Sequence, residues 1–395
     1  MAKVKVVIGA NFGDEGKGLM TDYFCSKINE PTLNIRFNGT CQAGHTVVKG
    51  DKRHVFSHFG SGSFNPNVVT YLSSDFYVNP IWFLKEYEEL NNLGVKPVVK
   101  IAKNAPIILI YDMIYNRIIE NSRGENRHGS CGMGLWEALL RGRKNEIITV
   151  EDLQKGVRRL GNQIKDIRDN YFTEKFKNNG LEVSENLSVD DMYWFDDNLI
   201  DCYISDAKKM LSYVELVDEY EVFKDYENFV FEGAQGLLLD WMNREYMPYL
   251  TASRTGLHNC VNLFKFISNP EIEACYITRS YFTRHGAGLF KTEVEDKSVL
   301  GVKENDKTNF QNPWQGQFRY GYFDLDLFKA TIQKDLFELY SYDFKKSICV
   351  THLDETNGVI KLRDREMSFD DFKTELGDDW CFYTSYGEDS CQIKA

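Results

Sequence analysis

The chain has 395 residues, 43% of them hydrophobic and 27% charged, a globular composition that excludes a disordered or fibrous protein. Its net charge is −12 and its pI about 5.2, and it has no block of lysine and arginine, so polymeric nucleic acid is not an expected partner. No run of about 18 apolar residues occurs and the opening MAKVKVVIGANFG lacks a signal-peptide core, so neither a membrane span nor a secretory leader is expected.

Val4–Ile8 is a short β-branched run without helical periodicity and reads as a buried strand. Gly9–Gly18 is a glycine-rich turn, and Leu19–Ile28 continues as a helix, which together make the start of an α/β unit. Further buried strands are expected at Leu33–Phe37, Val68–Leu72, Val98–Ile101, Ile107–Ile110, Phe229–Glu232, Ala274–Thr278 and Ser347–Thr351. Helical stretches such as Ile81–Asn91 and Asp112–Asn121 lie between them. This alternation predicts an α/β fold with a large, mainly parallel central sheet covered by helices. Asn162–Tyr220 is charged and amphipathic and reads as a helical insertion or subdomain, near 150–222. Asp296–Asn312 is polar and reads as a mobile loop. With only eight prolines and no low-complexity linker, one domain spanning 1–395 is expected. The nine cysteines form no C-x-x-C pair, and an odd number does not suggest a disulfide framework. Reduced thiols in a cytoplasmic protein are the expectation.

The stretch Gly9-Ala10-Asn11-Phe12-Gly13-Asp14-Glu15-Gly16-Lys17-Gly18 carries the chemistry. Glycines let backbone N–H groups converge on an anion, the following helix adds its positive end, and Lys17 supplies a full charge. The loop departs from a P-loop, because Asn11 stands at the first glycine and Gly18 replaces the magnesium-binding hydroxyl. That argues against a nucleotide-dependent switch protein, and the missing G-x-G-x-x-G argues against a dinucleotide enzyme. Asp14 and Glu15 would repel bound phosphate unless a metal or proton chemistry needs them.

Gly13–Gly18 matches the GDEGKG signature of the adenylosuccinate synthetases, and the match continues in order along the chain. Ala43–Thr46 matches AGHT. Phe231–Gly236, followed by Leu238-Leu239-Asp240, matches FEGAQG with its LLD. Pro248–Thr251 resembles PYVT, and Thr283–Gly288 with Phe290, Thr292 and Glu293 resembles TRVGAGPFPTE. Arg319-Tyr320-Gly321 with Asp324 resembles R-x-G-W-x-D, and Thr351–Asp354 resembles TKLD. Seven motifs in family order over about 340 residues identify the chain as similar to that family.

The resemblance implies a P-loop-related fold, magnesium, and a ligation of L-aspartate to C6 of a purine nucleoside monophosphate, driven by GTP or ATP. In the family a base removes the N1 proton while O6 attacks the γ-phosphate, and the aspartate amine then displaces the phosphate ester. Asp14 matches the base and a magnesium ligand, His45 the acid on the leaving groups, and Lys17 a phosphate clamp. Gly13, Glu15, Gly16, Gly18 and Thr46 fall in the triphosphate site, and Gly44 offers its carbonyl to magnesium. His352, Asp354, Ser385 and Gly387 fall at the donor base. Gln42, Ser130, Cys131, Gln235, Thr251 and Gln317 fall at the purine nucleotide, and Gln315, Gly316 and Arg319 at aspartate. Arg141 or Arg143 matches an arginine that the family donates across a homodimer interface.

The chain also departs from the family. Gln317 stands where the family has an arginine that touches the ribose hydroxyl and aspartate, and a neutral amide does not replace a guanidinium fork. Gln42 replaces an asparagine, Cys131 a threonine and His352 a lysine, and the last leaves GTP and ATP both open. These departures resemble the phage branch of the family, which aminates dGMP towards 2-aminoadenine nucleotides. The favoured substrate is therefore dGMP, with IMP as the alternative.

Overall fold

The computed structural model describes residues 1–182, 193–302 and 316–395. Among these, ten strands form one sheet in the order β17-β16-β13-β9-β1-β8-β2-β5-β6-β7. The strands are β1 (Ala2–Gly9), β2 (Thr32–Arg36), β5 (Val68–Leu72), β6 (Val98–Ala102), β7 (Glu215–Val217), β8 (Asn228–Gly236), β9 (Pro270–Arg279), β13 (Phe344–Thr351), β16 (Trp380–Ser385) and β17 (Ile393–Lys394). Every pairing in the sheet is parallel except that of β17 with β16. The central strands are buried on both faces, which is why they read as unbroken β-branched runs. β1 lies between β8 and β9, so the glycine loop leaves the middle of the sheet at its C-terminal edge.

Helix α1 (Lys17–Ser26) follows the loop, and α2 (Pro80–Asn92) and α3 (Ile110–Ser122) connect later strands. Asn79 caps α2 by accepting from Trp82 N, with Pro80 at its first position, where a missing N–H costs nothing. The expected strand at Ile107–Ile110 does not form. Ile107 makes only an isolated bridge to Val78, and α3 already begins at Ile110, where the Asp112 carboxylate accepts from Leu109 N at 2.8 Å. A short apolar run is buried in either case, and here an acidic helix start captured it.

The region 150–222 is not a helical subdomain set apart from the sheet. It does contribute α5 (Val157–Asp166), α6 (Thr173–Asn178) and the helix Asp197–Leu211, but it also contributes β7, the edge strand beside β6. Trp194 is 1% exposed and anchors it, packing edge-on against Tyr111, Phe172 and Phe176. Of the polar stretch Asp296–Asn312, residues 297–300 form a helical turn capped by Asp296, with Leu300 buried; residues 303–312 lie outside the described residues. The hairpin β3 (His45–Lys49) and β4 (Lys52–Phe56) stands beside α1. A three-stranded sheet of β10 (Phe282–His285), β12 (Phe318–Gly321) and β11 (Glu293–Val294) follows β9.

No helix among the described residues is long and apolar enough to cross a membrane. All nine cysteines are free thiols.

Candidate functional site

A cavity of about 1230 Å³ opens beyond the C-terminal ends of the central strands, where the loops after β1, β8, β9 and β13 meet. Open parallel sheets bind ligands at this edge. Asp14, Gln235, His352 and Asn357 line it with positive φ values of 61°, 65°, 58° and 55°. A non-glycine residue in that region costs about 1–3 kcal/mol, and such strain gathers at functional sites.

The phosphate-type loop is locked from inside. Glu15 is 2% exposed, and its carboxylate accepts from Asn11 N at 3.0 Å, Gly13 N at 2.8 Å and Lys17 Nζ at 3.0 Å. The expectation that Glu15 faces phosphate is therefore corrected: its side chain turns inward to neutralise loop amides. Gly13, Asp14, Gly16, Lys17 and Gly18 do line the cavity. Lys17 keeps donors to spare, since an ammonium has three and Glu15 takes one. The departure from the P-loop at Gly18 has a steric cause. A Cβ there would lie 2.9 Å from His45 Cβ and 3.1 Å from Thr46 O, so α1 and β3 approach this closely only over a glycine.

That approach carries Gly44, His45 and Thr46 into the cavity wall. His45 Nδ1 lies 2.5 Å from Glu232 Oε1, and Glu232 also accepts from Ser61 N at 2.9 Å and from the Ser61 hydroxyl. Burial lowers the His45 pKa to about 4, against the pull of Glu232. Burial alone would raise Glu232, but Arg36, His45 and Ser61 hold it at about 2. The pair therefore rests as carboxylate and neutral imidazole. Nδ1–H points to Glu232, and Nε2 is buried without a hydrogen-bond partner among the described residues.

This has a consequence for stability. The folded pKa of His45 lies below its usual 6.5, so the native state binds fewer protons than the unfolded chain between those values. His45 thus stabilises the fold above about pH 6.5, and the contribution is lost as pH falls towards 4. Melting temperature is expected to fall over that window, and less steeply in His45→Asn. Equal acid slopes in the two proteins would contradict the assignment.

On the far side, Gln42 Nε2 donates to Thr251 Oγ1 at 2.8 Å and Cys131 Sγ donates to Gln42 Oε1 at 3.5 Å, so three expected nucleotide residues form one chain. Ser130 lines the cavity too, but its hydroxyl is bonded to Asn116 at 2.7 Å and its amide to Glu120 at 3.3 Å. His352, Asp354 and Gly387 also line the cavity, joined by Asn357, Glu388, Asp389 and Gln392, which sequence reasoning did not single out. Ser385 is corrected: it is fully buried, and its hydroxyl donates to Gly387 O at 2.8 Å.

Arg141 is also corrected. It is 1% exposed and holds Asp112 in a fork, Nε to Oδ1 at 3.1 Å and Nη2 to Oδ2 at 2.9 Å, so it cannot reach a neighbouring chain. Arg143 is exposed and lies 4.5 Å over the Trp241 ring. Arg141→Met is expected to lower unfolding stability by about 3–5 kcal/mol, because it strands the Asp112 charge in the core. Arg143→Ala should cost less than about 1 kcal/mol. Denaturant titration separates the two, and equal effects would refute the distinction.

Of the expected aspartate residues, Gly316 and Arg319 stand outside the cavity lining. Arg319 donates Nε to Glu293 Oε1 at 2.7 Å and Nη1 to the carbonyls of Gly286 and Gly288 at 2.8 and 3.0 Å, and Nη2 also pairs with Glu293. It thereby braces the 286–288 turn. Gly316, with φ 80°, packs on Gly286, and Gln317 is exposed with its carbonyl accepting from Gly286 N at 2.9 Å. Gln315 lies outside the described residues. Sequence reasoning missed the basic groups that do line the cavity: Arg279, Arg284, His285 and His128. Arg284 and His285 sat in a recognised motif without a role. Arg284 packs over Phe12 at 4.5 Å, and burial lowers its pKa to about 10.

Magnesium takes oxygen ligands and keeps much of its shell as water and substrate phosphate. Among the described residues no group of three or more His, Cys, Asp or Glu side chains could hold a metal. Asp14 and the exposed Gly44, both in the cavity lining, offer a carboxylate and a carbonyl, a set that fits a cation bound mainly through phosphate.

A model of the adenylosuccinate synthetase family matches residues 6–363. Adenylosuccinate synthetase of Clostridium novyi is 32% identical over 333 residues, which is 82% of this chain and 74% of the relative. That of Mesoplasma florum is 30% identical over 377 residues, 90% and 78% of the two chains. Among solved structures, the fully ligated adenylosuccinate synthetase of Plasmodium falciparum superposes with a TM-score of 0.72 at 17% identity, covering 99% of each chain. Succinoaminodeoxyadenylate synthetase (PurZ) of cyanophage S-2L, bound to dGMP and to dATP as energy donor, gives 0.65 at 15% identity, covering 100% of this chain and 95% of the other. The chain belongs to the adenylosuccinate synthetase family, ligases that form a carbon–nitrogen bond between aspartate and a purine nucleotide.

Proposed function

We propose that the chain joins L-aspartate to C6 of dGMP, using GTP or ATP and magnesium, through a 6-phosphoryl nucleotide. The observation that carries the chemistry is that Asp14, Lys17 and His45 all line one cavity. Asp14 takes the N1 proton, and O6 bonds to the γ-phosphorus as the bond to the β-phosphate oxygen breaks. The amine of aspartate then adds at C6, inorganic phosphate leaves, and the amine gives up a proton. Lys17 and the amides of the loop hold the transferring group, a reaction that needs mainly positioning and charge neutralisation. Bound magnesium would draw charge from the phosphate oxygens. Asp14 and Gly44 would hold it.

The dGMP reading rests on the sugar side. With Gln317 exposed and the Arg319 guanidinium occupied by Glu293 and two carbonyls, no guanidinium from that strand is offered to a ribose hydroxyl. A site that bound this hydroxyl would lose about 1–3 kcal/mol on a deoxynucleotide, through donors left unpaired. A site that ignores it loses nothing. The dGMP in the cyanophage structure supports the same reading. Values of kcat/KM for IMP, dIMP, GMP and dGMP, each with GTP and with ATP, test it. The expected order puts dGMP at least level with GMP and above IMP. A clear preference for IMP would leave an ordinary adenylosuccinate synthetase, which retention of Asp14 also suits, since hypoxanthine and guanine both carry an N1 proton.

We also propose a homodimer in which Arg143 completes the partner's site. Mixing Asp14→Asn with Arg143→Ala chains should then restore roughly a quarter of wild-type activity, by random pairing into hybrids with one intact site. Absence of recovery despite subunit exchange would place each site within one chain. Free thiols throughout are in keeping with a cytoplasmic setting.

A further inference from the structure

Beside Asp14 stands a histidine that no motif assigns a role. His285 ends β10, opposite Phe318 of β12, and its ring lies 4.7 Å from that of Phe318. Its Nε2 is 3.6 Å from Asp14 Oδ2, and both residues line the cavity. On the other side, Arg279 Nε donates to Asp14 O at 2.7 Å. That bond anchors the Asp14 carbonyl, with φ at 61°, and leaves the carboxylate free to rotate about its side-chain bonds. The valine side chain of the matching family motif has no N–H with which to stop that rotation.

We propose that His285 is a positioning residue for Asp14: its Nε2–H holds Oδ2 so that Oδ1 is turned towards the N1 proton of the purine. The neutral ring is enough, because a neutral imidazole still carries one N–H. A separation of 3.6 Å is longer than a hydrogen bond, and contacts of this kind tighten when substrate fills the site. The closure needed is under about 1 Å, a displacement of the size that costs about 10²-fold in rate when a reacting group is misplaced. The proposal rests on Asp14 being the base.

Three variants test it: His285→Val, His285→Gln and Asp14→Asn. His285→Val is expected to lower kcat about ten-fold or more, with KM for nucleotide, aspartate and triphosphate changed less than about two-fold and melting temperature unchanged. His285→Gln, whose amide keeps an N–H, should recover most of the loss. A near-normal kcat in His285→Val overturns the proposal. So does a rise in nucleotide KM at constant kcat, which would make His285 a substrate contact. Equal losses in both His285 variants with lowered melting temperature also overturn it, by showing that the ring only packs on Phe318. If Asp14→Asn itself stays active, it is the underlying assignment of the base that fails.

Discussion

Asp14→Asn is expected to reduce kcat by about 10²–10⁴-fold while leaving the fold intact. An amide cannot accept the N1 proton, so O6 stays a weak nucleophile towards the γ-phosphate. The fold survives for a backbone reason. Asp14 sits at φ 61°, and asparagine adopts the left-handed region as readily as aspartate does. The contact from Arg279 goes to the Asp14 carbonyl and not to its side chain, so it persists in the variant. Product formation and a thermal melt check the two halves. A near-normal kcat would remove Asp14 from the mechanism, and a collapsed melt would show that the carboxylate supports the loop.

His45→Asn is expected to lower kcat by about 10²–10³-fold, with nucleotide KM changed less. In the free protein burial keeps His45 neutral, with its proton on the Nδ1 that faces Glu232. Negative phosphate beside the ring favours the charged form, and the second proton can only go to Nε2, the nitrogen that Glu232 does not engage. The donor therefore arises when the triphosphate arrives and matters most as charge builds on O6 and the leaving phosphate. Steady-state kinetics decide the point. A rise in KM alone would make His45 a ground-state binding group.

Much of the sheet was legible from residues four to eight positions long. Val68–Leu72 is a strand at the expected bounds, and the runs at Val4, Leu33, Val98, Phe229, Ala274 and Ser347 all lie within observed strands or within a residue of one. Burial on both faces imposes one composition along the whole strand, so the signal is local. The run at Ile107 shows the limit, because burial without strand pairing gives the same composition. The hairpin of β3 and β4 was hidden for another reason: its partly exposed, charged ends at Lys49, Lys52 and Arg53 dilute the alternation.

The sequence by itself determined the family, the central strands of the sheet and the loop that carries Asp14, Lys17 and Gly18, because each is written in contiguous residues; the edge strands β7, β16 and β17 were not among the expected ones. Only the tertiary structure decided which way the charged side chains face. Glu15 and Asp14 are neighbours, yet one is locked under the loop and the other lines the cavity. Arg141 and Arg143 are two apart, yet one is spent on Asp112 and the other is exposed beside Trp241. His45 is kept neutral by burial and has its Nδ1 turned to Glu232, 187 positions away, and an imidazole reaches Asp14 from β10, a strand remote in the sequence. The energy of a charged group depends on its burial and its partners, and both are set by residues remote in the sequence.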